Sequence, residues 1–337
     1  MKKKFDITVI GSERVGKTSL LSSINSQFSK TLEDNFLEVT PLSDKDLSLE
    51  NNIKDLKKAF NTNTQIPLNN ADVVLGTEID INSTMYDYQY NFLVGLKDKK
   101  PKIELSFIDY PGEQLLNNRN KVIERIKKCS VTIIAIDTPA LMFKSAKENQ
   151  IDFHKKKNLL ADDSGENSII EAIFRESYKD LEENKLVILS PVKCEKWMGD
   201  SSKIMHENIK SGYKNLLDFF SNALVKDKVA VIIAPIETLG NIFYVYMENQ
   251  DTYSPKFIKE SIWSKYNPRN SDTILNYIMC FILKRYIDKP GIWYEWFGVP
   301  KPFIKAFHSF RKKLEPDALS VNAKSGFCIL QGEELFI

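Results

Sequence analysis

Short apolar runs alternate with longer amphipathic stretches along the 337 residues of this chain. Runs of consecutive β-branched and other apolar residues predict strands that are buried on both faces. Stretches whose apolar positions recur every three or four residues predict helices. The predicted strands cover residues 5–10, 86–96, 103–109, 130–136, 185–190 and 229–234. The predicted helices cover residues 19–28, 47–60, 115–128, 169–184, 204–224 and 273–286. This alternation predicts an α/β fold with a mostly parallel sheet.

Apolar and polar residues alternate along the predicted strand at residues 86–96. Its apolar positions are Tyr88, Tyr90, Phe92 and Val94. Such a pattern is typical of a half-exposed strand, and a short turn at residues 97–100 joins it to the next strand. The two strands therefore form an antiparallel hairpin. We expect a three-layer α/β fold whose sheet contains one antiparallel strand, with a further edge strand at residues 243–246 and a loop at 253–270.

The most specific pattern follows the first strand, where residues 11–18 match GxxxxGK[ST] between a strand and a helix. Gly11 and Gly16 allow backbone conformations in which successive N–H groups converge on phosphate oxygens. Lys17 is expected to reach the β and γ phosphates, and the Thr18 hydroxyl to bind Mg²⁺. The predicted nucleotide-binding residues of this loop are Gly11, Ser12, Glu13, Arg14, Val15, Gly16, Lys17, Thr18 and Ser19. A degenerate loop that binds nothing is the alternative.

A second phosphate-site pattern, DxxG, ends the strand at residues 103–109. Asp109 is expected to hold Mg²⁺ through a water, and Gly112 to offer its N–H to the γ phosphate. With Lys17, these two residues form the predicted catalytic set. The sequence Asp-x-Pro-Gly also makes a common turn, which is the alternative reading.

Two polar segments interrupt the pattern of strands and helices. Residues 31–84 are rich in Asn, Asp and Ser and predict an elaborated switch loop, and residues 144–168 form a lysine-rich excursion. Thr77 and Thr84 are the candidates for a threonine that closes over Mg²⁺, and Thr77 is assigned to the metal. Either could instead be an ordinary loop hydroxyl.

Three further loops at strand ends carry candidate ligand-binding residues. Lys193 and Glu195 form a Lys-x-Glu pattern, in which the lysine stem packs on a base and the carboxylate accepts both donors of a guanine edge. A solvated Lys/Glu loop is the alternative. The loop at residues 235–240, with Thr238, is expected to lend a backbone N–H to the base. Asp137 either contacts the nucleotide or caps the turn before Pro139.

The charge of the chain argues against bulk electrostatic binding. Forty-seven basic and 45 acidic residues give a formal net charge of +2, so neither nucleic acid nor an anionic membrane is an expected partner. No window approaches 18 apolar residues, which predicts a soluble, cytoplasmic protein without an integral membrane segment. The basic start at residues 2–4 leads into the first strand and does not indicate a targeting segment. Four dispersed cysteines and three isolated histidines predict neither a zinc site nor a disulfide framework.

The carboxyl-terminal stretch, residues 289–337, combines aromatic and basic residues. It could dock a partner or a membrane surface, but an aromatic stripe that packs on the sheet is the simpler interpretation. We therefore expect a nucleotide-binding domain at residues 1–288 and an extension packed on it or appended to it, which closes with a strand at 326–330.

Taken together, the phosphate loop, the long switch segment, the DxxG hairpin and the Lys-x-Glu loop resemble a P-loop GTPase of the TRAFAC clade. The runs at residues 109–112, 136–142, 191–195 and 235–240 resemble the bacterial double-GTPase families associated with conflict systems. The resemblance implies GTP or GDP with Mg²⁺ as cofactors and base recognition by Lys193 and Glu195. It also implies a nucleotide-dependent switch in a multi-protein system, acting with a protein partner or as a homodimer.

One position departs from the Ras-like pattern. Glu113 follows Gly112, where Ras-like GTPases have a glutamine that orients the attacking water, and Gln114 comes one residue later. A glutamate there adds negative charge beside the γ phosphate, which predicts slow or partner-assisted hydrolysis. Two other functions stay open at this point: a P-loop ATPase or phosphotransferase in which Lys193 and Glu195 are incidental, and a scaffold that holds nucleotide without turnover.

Overall fold

A computed structural model describes residues 2–12, 15–41, 47–61, 74–76, 88–112, 114–142, 169–248, 254–261, 263–288, 301–314 and 326–336. The strands are β1 (Lys3–Ile10), β2 (Glu38–Pro41), β3 (Val74–Gly76), β4 (Tyr88–Gly95), β5 (Ile103–Asp109), β6 (Val131–Asp137), β7 (Lys185–Val192), β8 (Val229–Ile233), β9 (Ile242–Glu248), β10 (Ser254–Lys259) and β11 (Cys328–Gln331). The helices are α1 (Lys17–Glu33), α2 (Leu47–Asn61), α3 (Gln114–Asn117), α4 (Arg119–Lys128), α5 (Thr138–Met142), α6 (Ile169–Ser177), α7 (Ser202–Gly212), α8 (Lys214–Phe220), α9 (Ser271–Asp288) and α10 (Lys301–Lys312).

The main sheet has the strand order β11-β8-β7-β6-β1-β5-β4-β2. The strands from β8 to β5 are parallel, and β4 pairs antiparallel with β5, as the predicted hairpin requires. This arrangement confirms the three-layer α/β fold with a mostly parallel sheet. Antiparallel pairing is more extensive than the single strand predicted, because β2 pairs with β4 and β11 pairs with β8 at the two edges. Strand β2 is polar and largely exposed, so no apolar pattern marked it.

Helices cover both faces of this sheet. One face packs against α1, α9 and α10, and the other against α4, α6, α7 and α8. The aromatic residues Phe303, Phe307 and Phe310 of α10 are buried on this side of the sheet, where α10 packs on α9. The Ser309 hydroxyl donates to Asn35 Oδ1 at the end of α1, at 2.9 Å. The remaining predicted aromatic residues, Trp293, Trp296 and Phe297, lie outside the described residues.

The described strands also form a second sheet, in the order β3-β10-β9. Residues 243–246 belong to β9, which is an edge strand as predicted, but it lies in this second sheet and does not extend the main one. The loop predicted at residues 253–270 contains β10. Helix α2 packs on this sheet through an apolar group that we call the α2 cluster. Its members are Leu56, Phe60, Leu239, Ile242, Tyr244, Phe257 and Tyr266.

Three predicted helices are shorter than their apolar patterns indicated. The helix predicted at residues 115–128 is divided at Asn118, and the one at 204–224 is divided at Tyr213, because both residues have non-helical backbone angles. The helix predicted at 169–184 ends at Ser177. The predicted excursion at 144–168 lies outside the described residues. None of the helices within the described ranges combines the length and apolar character needed to cross a bilayer.

Candidate functional site

The candidate residues lie along one edge of the main sheet, where the parallel strands end. Strand β1 lies between β5 and β6. After β1 the chain first builds the side of the sheet with β2, β4 and β5, and then crosses to build the other side with β6, β7 and β8. Ligands of open α/β sheets bind outside the carboxyl ends of the strands at such a reversal of strand order. The loop after β1 therefore occupies the position where this fold type binds its ligand.

The two glycines of the phosphate loop both have positive φ, at +155° for Gly11 and +113° for Gly16. A Cβ on Gly11 would lie 2.9 Å from the carbonyl oxygen of Ala135 on the neighbouring strand, too close for any side chain. Gly16 occupies the N-cap position of α1 in a left-handed conformation. The loop thus leads directly into the start of a 17-residue helix, and the dipole of such a helix favours an anion at this end. Glu13 and Arg14 lie outside the described residues.

Lys17 extends back across this loop. Its ammonium group donates to the carbonyl oxygens of Gly11, at 3.0 Å, and Ser12, at 2.8 Å, and the residue is 5% exposed. These two carbonyl oxygens hold the ammonium across the phosphate loop. A buried cation at the mouth of a phosphate loop is suited to phosphate oxygens.

Thr18 and Asp109 form the oxygen pair that a magnesium ion would use. The Thr18 hydroxyl donates to Asp109 Oδ2 at 2.8 Å, and Asp109 is fully buried at the end of β5. The parallel register of β1 with β5, in which Val9 opposes Asp109, places this carboxylate beside the phosphate loop. Mg²⁺ is usually bound by one or two protein oxygens together with substrate phosphates, so this pair fits the ion.

The rest of the phosphate side is described only in part. Gly112 precedes α3, and its carbonyl oxygen accepts from the Leu115 N–H at 3.3 Å. Glu113, Thr77 and Thr84 lie outside the described residues. The roles assigned to Gly112, Ser19 and the switch threonine therefore stay predictions.

The Lys-x-Glu loop and the loop at residues 235–240 meet at the same edge. Glu195 is 7% exposed, and its Oε1 accepts a hydrogen bond from the Leu239 N–H at 2.9 Å. Burial raises the pKa of the Glu195 carboxyl to about 7, although the Leu239 N–H opposes this shift. Thr238, which is 3% exposed, lies next to this contact. The structure therefore joins a carboxylate and a candidate base loop that 44 positions separate in the sequence.

Val192 connects this region with the phosphate loop. A Cβ built on Gly16 would lie 3.7 Å from Cγ2 of Val192, so the Val192 side chain lies next to the phosphate loop. Lys193, the next residue, has the left-handed φ of +55° and turns the chain at the end of β7. The phosphate loop and the loop that carries Lys193 and Glu195 are thus neighbours at this edge of the sheet.

Sequence reasoning missed three residues that shape the base side. Leu239 contributes only its backbone N–H, which no residue type in the sequence could indicate. Arg269 pairs with the buried Glu237 at 2.8 Å, beside the base loop. The ring of Tyr244 lies 5.2 Å from the Lys193 ammonium. The two side chains gave no motif, because their partners are distant in the sequence.

No protein-family model matches the chain, and no curated protein matches it. Two solved structures that resemble it are of the S. cerevisiae Ski7 GTPase-like domain, one bound to GTP and one bound to GDP and inorganic phosphate. Both are 14% identical to this chain, and each match covers 69% of this chain and 43% of the Ski7 chain. The TM-scores are 0.38 and 0.34. The fold is therefore assigned from the strand order and phosphate loop of this chain itself.

Proposed function

We propose that this chain binds GTP and GDP with Mg²⁺, hydrolyses GTP slowly, and acts as a nucleotide-dependent switch. One observation carries the proposal: a phosphate loop with its lysine and a Thr/Asp oxygen pair lies beside a buried carboxylate at a single sheet edge. This arrangement supports the binding of phosphate, metal and base within one site.

On the phosphate side, the loop amides and Lys17 bind the β and γ phosphates. The Lys17 ammonium is fixed in position before the nucleotide binds, because two carbonyl oxygens already hold it. Fixed donors stabilise the charge that develops on the γ phosphate without a cost of reorganisation. Thr18 and Asp109 hold the metal ion, which supplies neutralisation of the phosphate charge.

On the base side, Glu195 accepts the two N–H donors of the guanine edge. Leu239 keeps the carboxylate oriented, and burial excludes water that would compete for it. Adenine presents no such pair of donors to a carboxylate, so it leaves a buried acceptor unsatisfied. Thr238 is proposed to present a backbone N–H to the base, and Lys193 packs its stem on the ring.

Slow hydrolysis is inferred from Glu113. The negative charge of a glutamate is repelled by the γ phosphate, so this side chain orients the attacking water less well than a glutamine does. We propose that a protein partner or a second copy of the chain completes the reaction within a bacterial multi-protein, conflict-type system. We further propose a cytoplasmic location, and a GTPase domain at residues 1–288 that carries residues 289–337 as an extension.

Competition binding tests this proposal. Labelled GTP with Mg²⁺ is displaced by unlabelled GTP or ATP from the wild type, from Glu195→Ala, and from the control Glu182→Ala, an exposed residue before β7. We expect GTP to compete far better than ATP in the wild type and the control, and this preference to disappear in Glu195→Ala. Equal competition by ATP in the wild type would overturn the guanine assignment and leave only the phosphate site.

A further inference from the structure

The ammonium group of Lys193 is held from two directions. Its Nζ lies 3.3 Å from Oδ2 of Asp137 and 5.2 Å from the centre of the Tyr244 ring. Asp137 is fully buried, whereas 16% of the Lys193 side chain is exposed. The charged end of the lysine thus points inward, toward a carboxylate that solvent does not reach.

Strand register produces this pair. Asp137 ends β6 and lies opposite Val192, the last residue of β7. Lys193 follows directly, and its left-handed backbone reverses the chain at the strand end, which is uncommon for a residue with a Cβ. The sheet therefore fixes the carboxylate, and the turn brings the lysine to it.

The ring of Tyr244 connects Lys193 with strand β9 of the second sheet. Tyr244 lies in β9, shortly after the base loop, and is 3% exposed. A cation over an aromatic face is attracted by the ring quadrupole, and more strongly when water is excluded. The same lysine thus links β6, β7 and β9 around the base side of the site.

We propose that Asp137 is a positioning residue for base recognition, which it performs through Lys193 without touching the nucleotide. By holding the ammonium, it leaves the four-carbon stem of the lysine as the part that lies against the base. This inference rests on the proposed nucleotide function. It differs from both sequence-based readings of Asp137, as a nucleotide contact or as a turn cap.

Two consequences follow from the geometry. The charge of Lys193 is balanced inside the protein, so the base meets an apolar stem instead of a cation. The stem is also ordered before the ligand binds, which lowers the entropic cost of packing a long side chain on the ring. Asp137 should therefore affect affinity for the base and leave phosphate affinity unchanged.

A double-mutant cycle tests the inference with three ligands: GTP, GDP and magnesium tripolyphosphate, which has no base. The variants are Asp137→Asn, Lys193→Met and both together. We expect Asp137→Asn to weaken GTP and GDP binding about tenfold, the order of one charge-assisted hydrogen bond, with tripolyphosphate binding unchanged. Because Asp137 acts through Lys193, the double variant should bind GTP no more weakly than Lys193→Met.

Three results would overturn the inference. Wild-type affinity in Asp137→Asn shows that the ion pair is dispensable. Equal losses for GTP and tripolyphosphate show a general structural defect. Fully additive losses in the double variant show that Asp137 contacts the nucleotide independently. Asp218→Asn, which breaks an exposed ion pair with Lys214, is the matched control and should change nothing.

A second comparison covers the case in which Asp137→Asn does not fold. Lys193→Arg keeps a cation facing Asp137, whereas Lys193→Met keeps a stem of similar length without the charge. We expect the arginine variant to bind GTP more tightly than the methionine variant, and equal affinities overturn the inference. A wild type that fails to bind GTP removes the proposed function itself, whereas normal wild-type binding with an unaffected Asp137→Asn overturns only this inference.

Discussion

The backbone N–H of Leu239 donates a hydrogen bond of 2.9 Å to the carboxylate of Glu195. This bond joins the loop after β7 to the loop after β8, and it holds a carboxylate in a place where burial raises its pKa to about 7. Glu237 raises this pKa further, and Arg269 opposes it. The group that would recognise guanine thus has a pKa close to neutral pH.

Guanine binding should therefore depend on pH. A carboxyl accepts both guanine donors only when it is ionised, so protonation below pH 7 weakens binding. We expect GTP affinity to fall about tenfold per pH unit below pH 7 and to level off above it. Titration by equilibrium binding between pH 5.5 and 8.5 measures the change. Glu195→Ala is the control, because its weaker binding should lack this pH step, and a wild-type profile that matches it contradicts the prediction.

The stability of the ligand-free protein should also change with pH. The folded protein holds a proton on Glu195 up to about pH 7, whereas the unfolded chain releases it near the ordinary value of 4.5. Between these values the folded state binds more protons, so the free energy of unfolding falls as pH rises, by about 3 kcal/mol. Urea unfolding at pH 5 and pH 7.5 should show this fall in the wild type and a smaller one in Glu195→Gln. Equal falls contradict the assignment to Glu195.

Removing the Thr18 hydroxyl should separate metal binding from phosphate binding. We expect Thr18→Ala to lose at least tenfold in GTP affinity with Mg²⁺ present and little in the presence of a chelator, because the lost oxygen serves the ion. Asp109→Asn should behave in the same way. Ser29→Ala, an exposed hydroxyl on the same helix, is the control. Equal losses with and without Mg²⁺ would show that Thr18 has a different role.

A methyl group at Gly11 should disrupt the phosphate loop. The added Cβ meets the Ala135 carbonyl oxygen at 2.9 Å, so the backbone must move. Gly199→Ala is a matched control, because Gly199 also has positive φ but has no atom within 4 Å of the added Cβ. We expect Gly11→Ala to cost about 2 kcal/mol more in unfolding free energy and to abolish nucleotide binding. Similar unfolding curves for the two variants would contradict the close approach.

The α2 cluster should stabilise the base loop. Phe60 is fully buried and packs in the same cluster as Leu239, whose N–H holds Glu195. We expect Phe60→Ala to destabilise this region by about 3 kcal/mol and to weaken GTP binding. Hydrogen exchange of the Leu239 amide should become faster in this variant, whereas the exposed change Lys57→Ala should leave it unaltered. Unchanged exchange in Phe60→Ala would show that α2 does not support the loop.

Glu113→Gln should increase GTP turnover, because it removes a negative charge and restores a group that can orient water. Single-turnover hydrolysis measures the rate. The control is Glu124→Gln, an exposed residue on α4, and its rate should equal that of the wild type. A large fall in the rate of Glu113→Gln would show that the glutamate itself takes part in the reaction.

Local patterns accounted for most of the main sheet. The sequences of β1, β5, β6, β7 and β8 are rich in apolar residues, and each strand was predicted to within two residues of its observed end. The second sheet was missed because β3 has three residues and β10 carries two lysines and a proline. Such segments form strands only when a partner supplies their hydrogen bonds. The sequence could not reveal that partner, since β3 pairs with residues about 180 positions away.

The same distinction holds for the site. The phosphate loop was predicted from consecutive residues because its function depends on local backbone geometry, which glycine, lysine and threonine determine by themselves. The contacts of Thr18 with Asp109, Lys193 with Asp137 and Glu195 with Leu239 join residues 91, 56 and 44 positions apart. Only the strand register could decide them, because it sets which strand ends are neighbours. The sequence by itself determined the α/β pattern and the phosphate loop. Only the tertiary structure decided which charged and polar groups contact one another, because distant strands must lie side by side before these groups are buried and paired.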